Sequence, residues 1–459
     1  MTQKLELEQK ASYAPWIAFV RIFLGAFWLL EVTIGHNWKV GSFTSGPHPG
    51  WFGPDAGSYL ITQGNAGIEA GGWAWFGWVL ENIMYPQAPL WGYFAVAVQF
   101  ILAFAFIFGI FARPIALLGL GMDFFIFMLG NSRIPPFFSL GHLFILGTNA
   151  GMYYGVDAWL VEKYKGLKAI ITLDFVNLKL RRIIAAVAAL LATYYLLKLA
   201  VIDSGKMKMV SMDLAVLLGF VSYGLFIYRD KINNVLLTTS LLRIWLGYRF
   251  LHEVIVRNVP GLNGLPGGGT TEDLTAIFKV VSEKHWGLFA GIVDVAFLPM
   301  MGFWNVIFTV LEIAIAAMLI LGIRTRLVSK IARIYLSILI LIGFTRYVPF
   351  VFGYLFAVFT LDGGRMFSFD ALNNIESKIG IKISKLATYI LIAIALVFVI
   401  AANISGIEPD GYKTAAMGAW VGIIVSVLTG ILGLSGAMQN GILFSKKDTS
   451  LITSKSVAQ

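Results

Sequence analysis

Cysteine is absent from the 459 residues. Structural disulfides, Cys-ligated zinc, iron–sulfur clusters and covalently attached c-type haem are thereby excluded. Charge is scarce too. Charged residues make up 13% of the chain, against roughly 25% in an average globular protein, so a wet surface of ordinary composition cannot be built. Metal-ligand spacing and nucleophile–base constellations are also missing. Gly267-Gly268-Gly269 is no phosphate loop, because no Lys-Ser/Thr follows it. What the chain has in excess is apolar residues, 58% of the total. That content excludes disorder and an ordinary soluble domain, and long apolar runs recur from Trp16 to Leu443.

The runs predict an all-α integral membrane protein with about 12 transmembrane helices. Spans fall near 16–35, 89–111, 114–129, 135–155, 182–201 and 211–228, then near 238–256, 301–322, 327–345, 347–361, 383–403 and 415–436. The basic residues test this topology. With the N-terminus inside, 21 of the 35 lie in cytoplasmic segments, nine in external ones and five within spans. The external loops 36–88 and 257–300 are the longest, so the bias follows the positive-inside rule and places both termini in the cytoplasm. The net charge of +10 is therefore a topology signal and not a nucleic-acid footprint. A plasma-membrane, multi-pass protein is expected.

An internal repeat organises the chain. Arg21-Ile-Phe-Leu-Gly25 with Glu31 is matched by Arg243-Ile-Trp-Leu-Gly247 with Glu253, at an offset of 222. Beyond the first external loop the offset becomes 213: Trp73 pairs with Trp286, Glu81 with Asp294, Gly109 with Gly322, Arg113 with Arg326, Arg133 with Arg346 and Asp157 with Asp370. Six spans per copy is an even number, so the copies, 1–235 and 236–459, are expected to be parallel repeats.

Ionisable groups inside a bilayer are costly and mark sites. Arg249, Glu253 and Arg257 are spaced i, i+4, i+8 and stack on one helical face, with His252 beside them. Two guanidiniums against one carboxylate leave a surplus positive charge, which suits a small oxyanion. The first copy has Phe27 and Gly35 in place of the arginines, and Gln99 in place of Glu312. The site is accordingly expected in the second copy. Arg249, Arg257, Arg346, Trp286 and His285 form the binding set, and Glu253, His252 and Glu312 the proton-handling set. Glu31, Arg133 and Trp73 are their counterparts in the first copy. The aromatic stretches 73–85 and 286–298 read as an interfacial belt, or as interfacial or re-entrant lids. His142 and His252 are the only in-span histidine pair. Their non-equivalent positions disfavour a bis-His haem, and no metal is expected.

Each repeat resembles the DoxX/DoxD family of four-helix membrane proteins. The resemblance is carried by Arg-Ile-x-Leu-Gly, then by Gln99 with Gly109 and Arg113, and Glu312 with Gly322 and Arg326. It covers about 15–160 and 238–372 and leaves two extra helices per copy. It implies a thiosulfate:quinone oxidoreductase subunit that makes tetrathionate at the external face and reduces a membrane quinone. It also implies a DoxA-like small subunit, supplied in trans or absent; a homodimer is left open. Two further readings stand beside it, a non-catalytic subunit of a respiratory quinol oxidase complex and a small-anion transporter.

Overall fold

The computed structural model describes residues 2–35, 38–41, 45–131, 134–227, 234–258, 271–373, 381–411 and 416–443. Each of the twelve apolar runs is helical. The first half holds α1 (Thr2–Thr33), α2 (Ala88–Phe108), α3 (Ala112–Met128), α4 (Pro135–Thr148), α5 (Leu178–Lys198) and α6 (Gly205–Ile227). The second holds α7 (Asn234–Asn258), α8 (Met301–Leu321), α9 (Thr325–Leu341), α10 (Val348–Thr360), α11 (Lys385–Ile404) and α12 (Met417–Gln439). Among the described residues seven helices are long and apolar enough to cross a membrane: those carrying α1, α2, α5, α6, α8, α11 and α12. The other five are shorter or, like α7, more polar.

Two expectations about the loops need correction. The stretches 73–85 and 286–298 are not separate lids. Each runs through a π-helical turn, Leu80–Met84 or Val293–Phe297, and a 3₁₀ turn directly into α2 or α8. The segments between α1 and α2 and between α7 and α8 also contain helices, Ser58–Glu69 and Thr271–Lys284, whose short amphipathic patterns lie among glycines and aromatics. The triple glycine lies outside the described residues.

Sequential neighbours pair as hairpins, α1 with α2, α3 with α4 and α5 with α6, and likewise through the second half. Across the middle, α4 and α6 lean on α7, while α10 and α12 lean on α1. The outermost helices leave large apolar side chains uncovered, such as Leu190 at 71% exposure on α5 and Ile404 at 82% on α11. In water such a surface would aggregate, and in a bilayer it is the solvated face.

The residues that carry the internal match have local structural work. Arg21 is fully buried and donates to the Phe106 and Ile107 carbonyls at the end of α2, and to those of Tyr153 and Tyr154. Arg243 is equally buried and donates to Met366 O and Phe367 O, again at an offset of 213. A helix C-terminus leaves carbonyls without partners, and a guanidinium with five donors satisfies several at once. Asp157 accepts from Phe111 N and Ala112 N at the start of α3, and Asp370 from Arg324 N and Thr325 N at the start of α9. Gly109 and Gly322 take positive φ, 68° and 66°, to end α2 and α8. Gly25 and Gly247 let backbones touch: a Cβ there would sit 2.7 Å from Ala103 O or 2.9 Å from Ala316 O.

Candidate functional site

The α7 ladder meets a carboxylate that its own spacing does not reveal. Asp213 on α6 receives both its oxygens' contacts from Arg249 Nη1, at 3.1 and 3.2 Å, and the Tyr248 hydroxyl donates to it at 2.8 Å. Arg249 Nη2 donates to Glu253 Oε1 at 2.7 Å. Tyr347, at the start of α10, donates to Glu253 Oε2 at 3.3 Å. The Phe137 ring on α4 lies 4.9 Å from the Arg249 guanidinium carbon and adds a cation–π contact. One turn further along α7, Arg257 is ion-paired with Glu312 on α8, and Tyr335 on α9 donates to Glu312 Oε1 at 2.8 Å. The Arg257 Nε also reaches the Glu253 carbonyl at 3.3 Å. A continuous series of acids, bases and phenols results.

Two expectations change here. The cluster carries two guanidiniums against three carboxylates, because Asp213 and Glu312 join Glu253, so the surplus of positive charge read from α7 alone does not survive assembly. Nor does the cluster belong to the second half only, since Asp213 and Phe137 come from the first. Exposure is uneven along it: 1% for Asp213 and 3% for Arg249, then 26% for Glu253 and 21% for Arg257, and 10% again for Glu312. His252 lies between the carboxylates without bonding either. Its Nε2 is 3.8 Å from Asp213 and its Nδ1 3.6 Å from Glu253. Removing the Tyr248 hydroxyl in Tyr248→Phe is expected to cost about 1.5–3 kcal/mol, the range for a bond to a charged acceptor. Equilibrium unfolding in detergent measures it, and an unchanged midpoint would deny Asp213 that bond.

The other expected site residues are placed elsewhere. Arg346 shares a small cleft with Glu31, Phe27, Leu30, Thr345 and Trp420, so it faces the first half's acid. Near that cleft Lys39 lies 4.8 Å from the Trp51 ring, and burial lowers its ammonium to about 8, partly opposed by Glu31. His285 has both ring nitrogens committed to backbone, Nδ1 to Trp286 N at 2.6 Å and Nε2 to Leu341 O at 2.9 Å, and burial pushes its imidazole down. The Trp286 indole donates to Ser405 at the end of α11 at 3.0 Å. Trp73 packs edge-on against Tyr195 of α5 at 5.5 Å. Arg133 lies outside the described residues.

The corresponding place in the first half is apolar. Phe27, the counterpart of Arg249, lies 4.4 Å from Phe350, the counterpart of Phe137. A second polar group sits there instead, with Trp28 Nε1 bonded to His142 Nε2 at 3.0 Å and His142 Nδ1 to Asp123 Oδ2 at 2.8 Å. Spacing could not find these partners. Asp123 and Asp213 were nevertheless visible as acids within expected spans, and an acid at such depth is itself a signal. Among the described residues no group of three or more His, Cys, Asp and Glu could hold a metal ion. No family model, curated protein or solved structure matches this chain.

Proposed function

We propose that this protein is a membrane thiosulfate:quinone oxidoreductase, made of two parallel six-helix repeats whose twelve helices all cross the bilayer. The observation that carries the reading is the largely buried series of acids, bases and phenols that runs from Asp213 through Glu253 and Arg257 to Glu312. A quinone takes up two protons with its two electrons, and such a series supplies them at depth. Glu312 and Tyr335 border the acceptor between α8 and α9, where Phe308 and Trp304 add flat apolar rings. The balance is two thiosulfates plus one quinone and two protons, giving tetrathionate and quinol. One S–S bond forms, each thiosulfate loses one electron, and the protons pass through Glu253, His252 and Glu312. The choice of thiosulfate rests on the DoxX/DoxD resemblance. Because the cluster has no spare cation, anion binding is coupled to proton uptake, which offsets the added negative charge.

The two-repeat layout is supported by the recurring geometry at offset 213 and by the matching hairpin pairs. The shortest helices, α4 and α10, are enclosed by protein, where short lengths are tolerated. Both termini lie in the cytoplasm on the distribution of basic residues. Purified protein in quinone-loaded liposomes is expected to reduce quinone only when thiosulfate is added. Glu312→Gln should lower that rate by about 100-fold or more, as loss of a positioned acid–base group does. A preparation with no thiosulfate-dependent reduction would sink the assignment.

A second reading has an observation of its own. The cluster lies where the halves meet, which is where carriers built from repeats hold substrate and coupling ion. Counterflow of labelled thiosulfate in quinone-free liposomes, sensitive to Asp213→Asn, would favour a proton-linked anion carrier.

A further inference from the structure

Outside the Asp213 cluster, one buried chain of polar groups has no part in the proposed reaction. Trp28 on α1, His142 and Ser139 on α4 and Asp123 on α3 lie in the first half, each at most 4% exposed. Their counterparts by offset, Phe250, Leu355, Phe352 and Leu336, are apolar, so the group is particular to this half. The chain has a fixed order. Ser139 Oγ donates to Asp123 Oδ2 at 2.9 Å, His142 Nδ1 lies 2.8 Å from the same oxygen, and the indole N–H of Trp28 points at His142 Nε2 from 3.0 Å.

An indole nitrogen only donates, so His142 Nε2 must accept, and the imidazole hydrogen sits on Nδ1 facing Asp123. An imidazolium would carry a second hydrogen on Nε2, donor against donor with Trp28. The imidazole is therefore neutral while the indole stays in place. Asp123 then has no cation beside it. The charged and titratable groups on the elements packed around it are engaged elsewhere. Arg21 on α1 holds carbonyls, Arg113 on α3 holds Leu146 O, Asp213 and Arg249 hold each other, and Tyr354 on α10 donates to Phe137 O. A bare carboxylate with no counter-charge is among the costliest things to bury. Asp123 Oδ1 is also buried and accepts no hydrogen bond among the described residues.

We propose that Asp123 is a buried proton-binding site, occupied at neutral pH as a carboxylic acid with its hydrogen on Oδ1, and that Trp28 gates it. Beyond the imidazole's own N–H, the Asp123–His142 pair holds one proton. With the indole in place that proton is on the carboxyl. With the indole displaced, Nε2 is free to carry a hydrogen, and the same proton is held as an imidazolium–carboxylate pair of unchanged net charge. The inference holds for an oxidoreductase or a carrier alike, since it uses none of the Asp213 cluster.

Aspartate-selective ¹³C labelling of the whole protein reads the wild type directly, and histidine-selective ¹⁵N labelling reads the tautomer. At neutral pH one protonated aspartate carboxyl and one histidine with hydrogen on Nδ1 only are expected. The carboxyl signal should vanish in Asp123→Asn. In Trp28→Phe it should give way to a carboxylate together with one new imidazolium. A wild-type spectrum with every aspartate ionised would overturn the site without any variant being needed. A Trp28→Phe protein that keeps both wild-type signals would overturn the gate.

Discussion

Asp213→Ala is expected to destabilise the protein by about 3–5 kcal/mol, the usual consequence of leaving one member of a buried ion pair without its partner. Arg249 is 3% exposed and would keep only Glu253, itself a quarter exposed, against a full guanidinium charge. Tyr248 would lose its acceptor as well. The loss should appear as a lower unfolding midpoint in detergent and a poor yield of folded protein. Removing both charges tells a different story. In Asp213→Leu with Arg249→Met neither ion of this pair is left, and apolar side chains of similar volume replace it. Glu253 keeps the Tyr347 hydroxyl and a partly wet position. Such exchanges are commonly neutral or stabilising. The double variant should therefore recover most of the stability while losing the proton-handling activity. If it proves as unstable as the single variant, the pair serves folding, and the functional reading of the cluster falls with it.

Arg21→Met is expected to be the other severe change, and more severe than Arg243→Met. Arg21 satisfies four carbonyls at the junction of α2 with the turn after α4, whereas Arg243 is bonded to two. Each buried carbonyl left without a donor costs about 1–3 kcal/mol, and a bilayer supplies no water to repair it. A loss of at least about 3 kcal/mol follows for Arg21→Met. Arg21→Lys should fall between, because an ammonium reaches fewer acceptors in one plane. The order Arg above Lys above Met in the unfolding midpoint is the measurement. Equal midpoints for the three would show that α2 is ended by Gly109 without help.

These two changes separate what is local from what is assembled. The role of Arg21 was within reach of sequence reasoning, since Arg21 recurs as Arg243 at offset 222 while Gly109 and Asp157 recur as Gly322 and Asp370 at offset 213. The match marks an internal repeat, and the structure shows the work its residues do at helix ends. The cation-rich pocket was misread for a specific reason. Spacing along α7 orders Arg249, Glu253 and Arg257 on one face, but it says nothing of what the next helix brings. Asp213 lies only 36 positions from Arg249, yet no periodicity links α6 to α7. Lone acids in apolar runs, Asp123 and Asp213, were the legible trace of both polar centres.

By itself the sequence determined the class of solvent, the twelve helical segments and the glycines at which α2 and α8 end. Those properties depend on apolar content, run length and contacts within a few turns. The tertiary structure alone decided which charges meet. It set Asp213 against Arg249, Glu312 against Arg257, Arg346 beside Glu31, and Trp28 against a histidine 114 positions away. Inside a low-dielectric core a charge is defined by its partner, and partners are chosen by how helices pack, a relation that spacing along one helix does not contain.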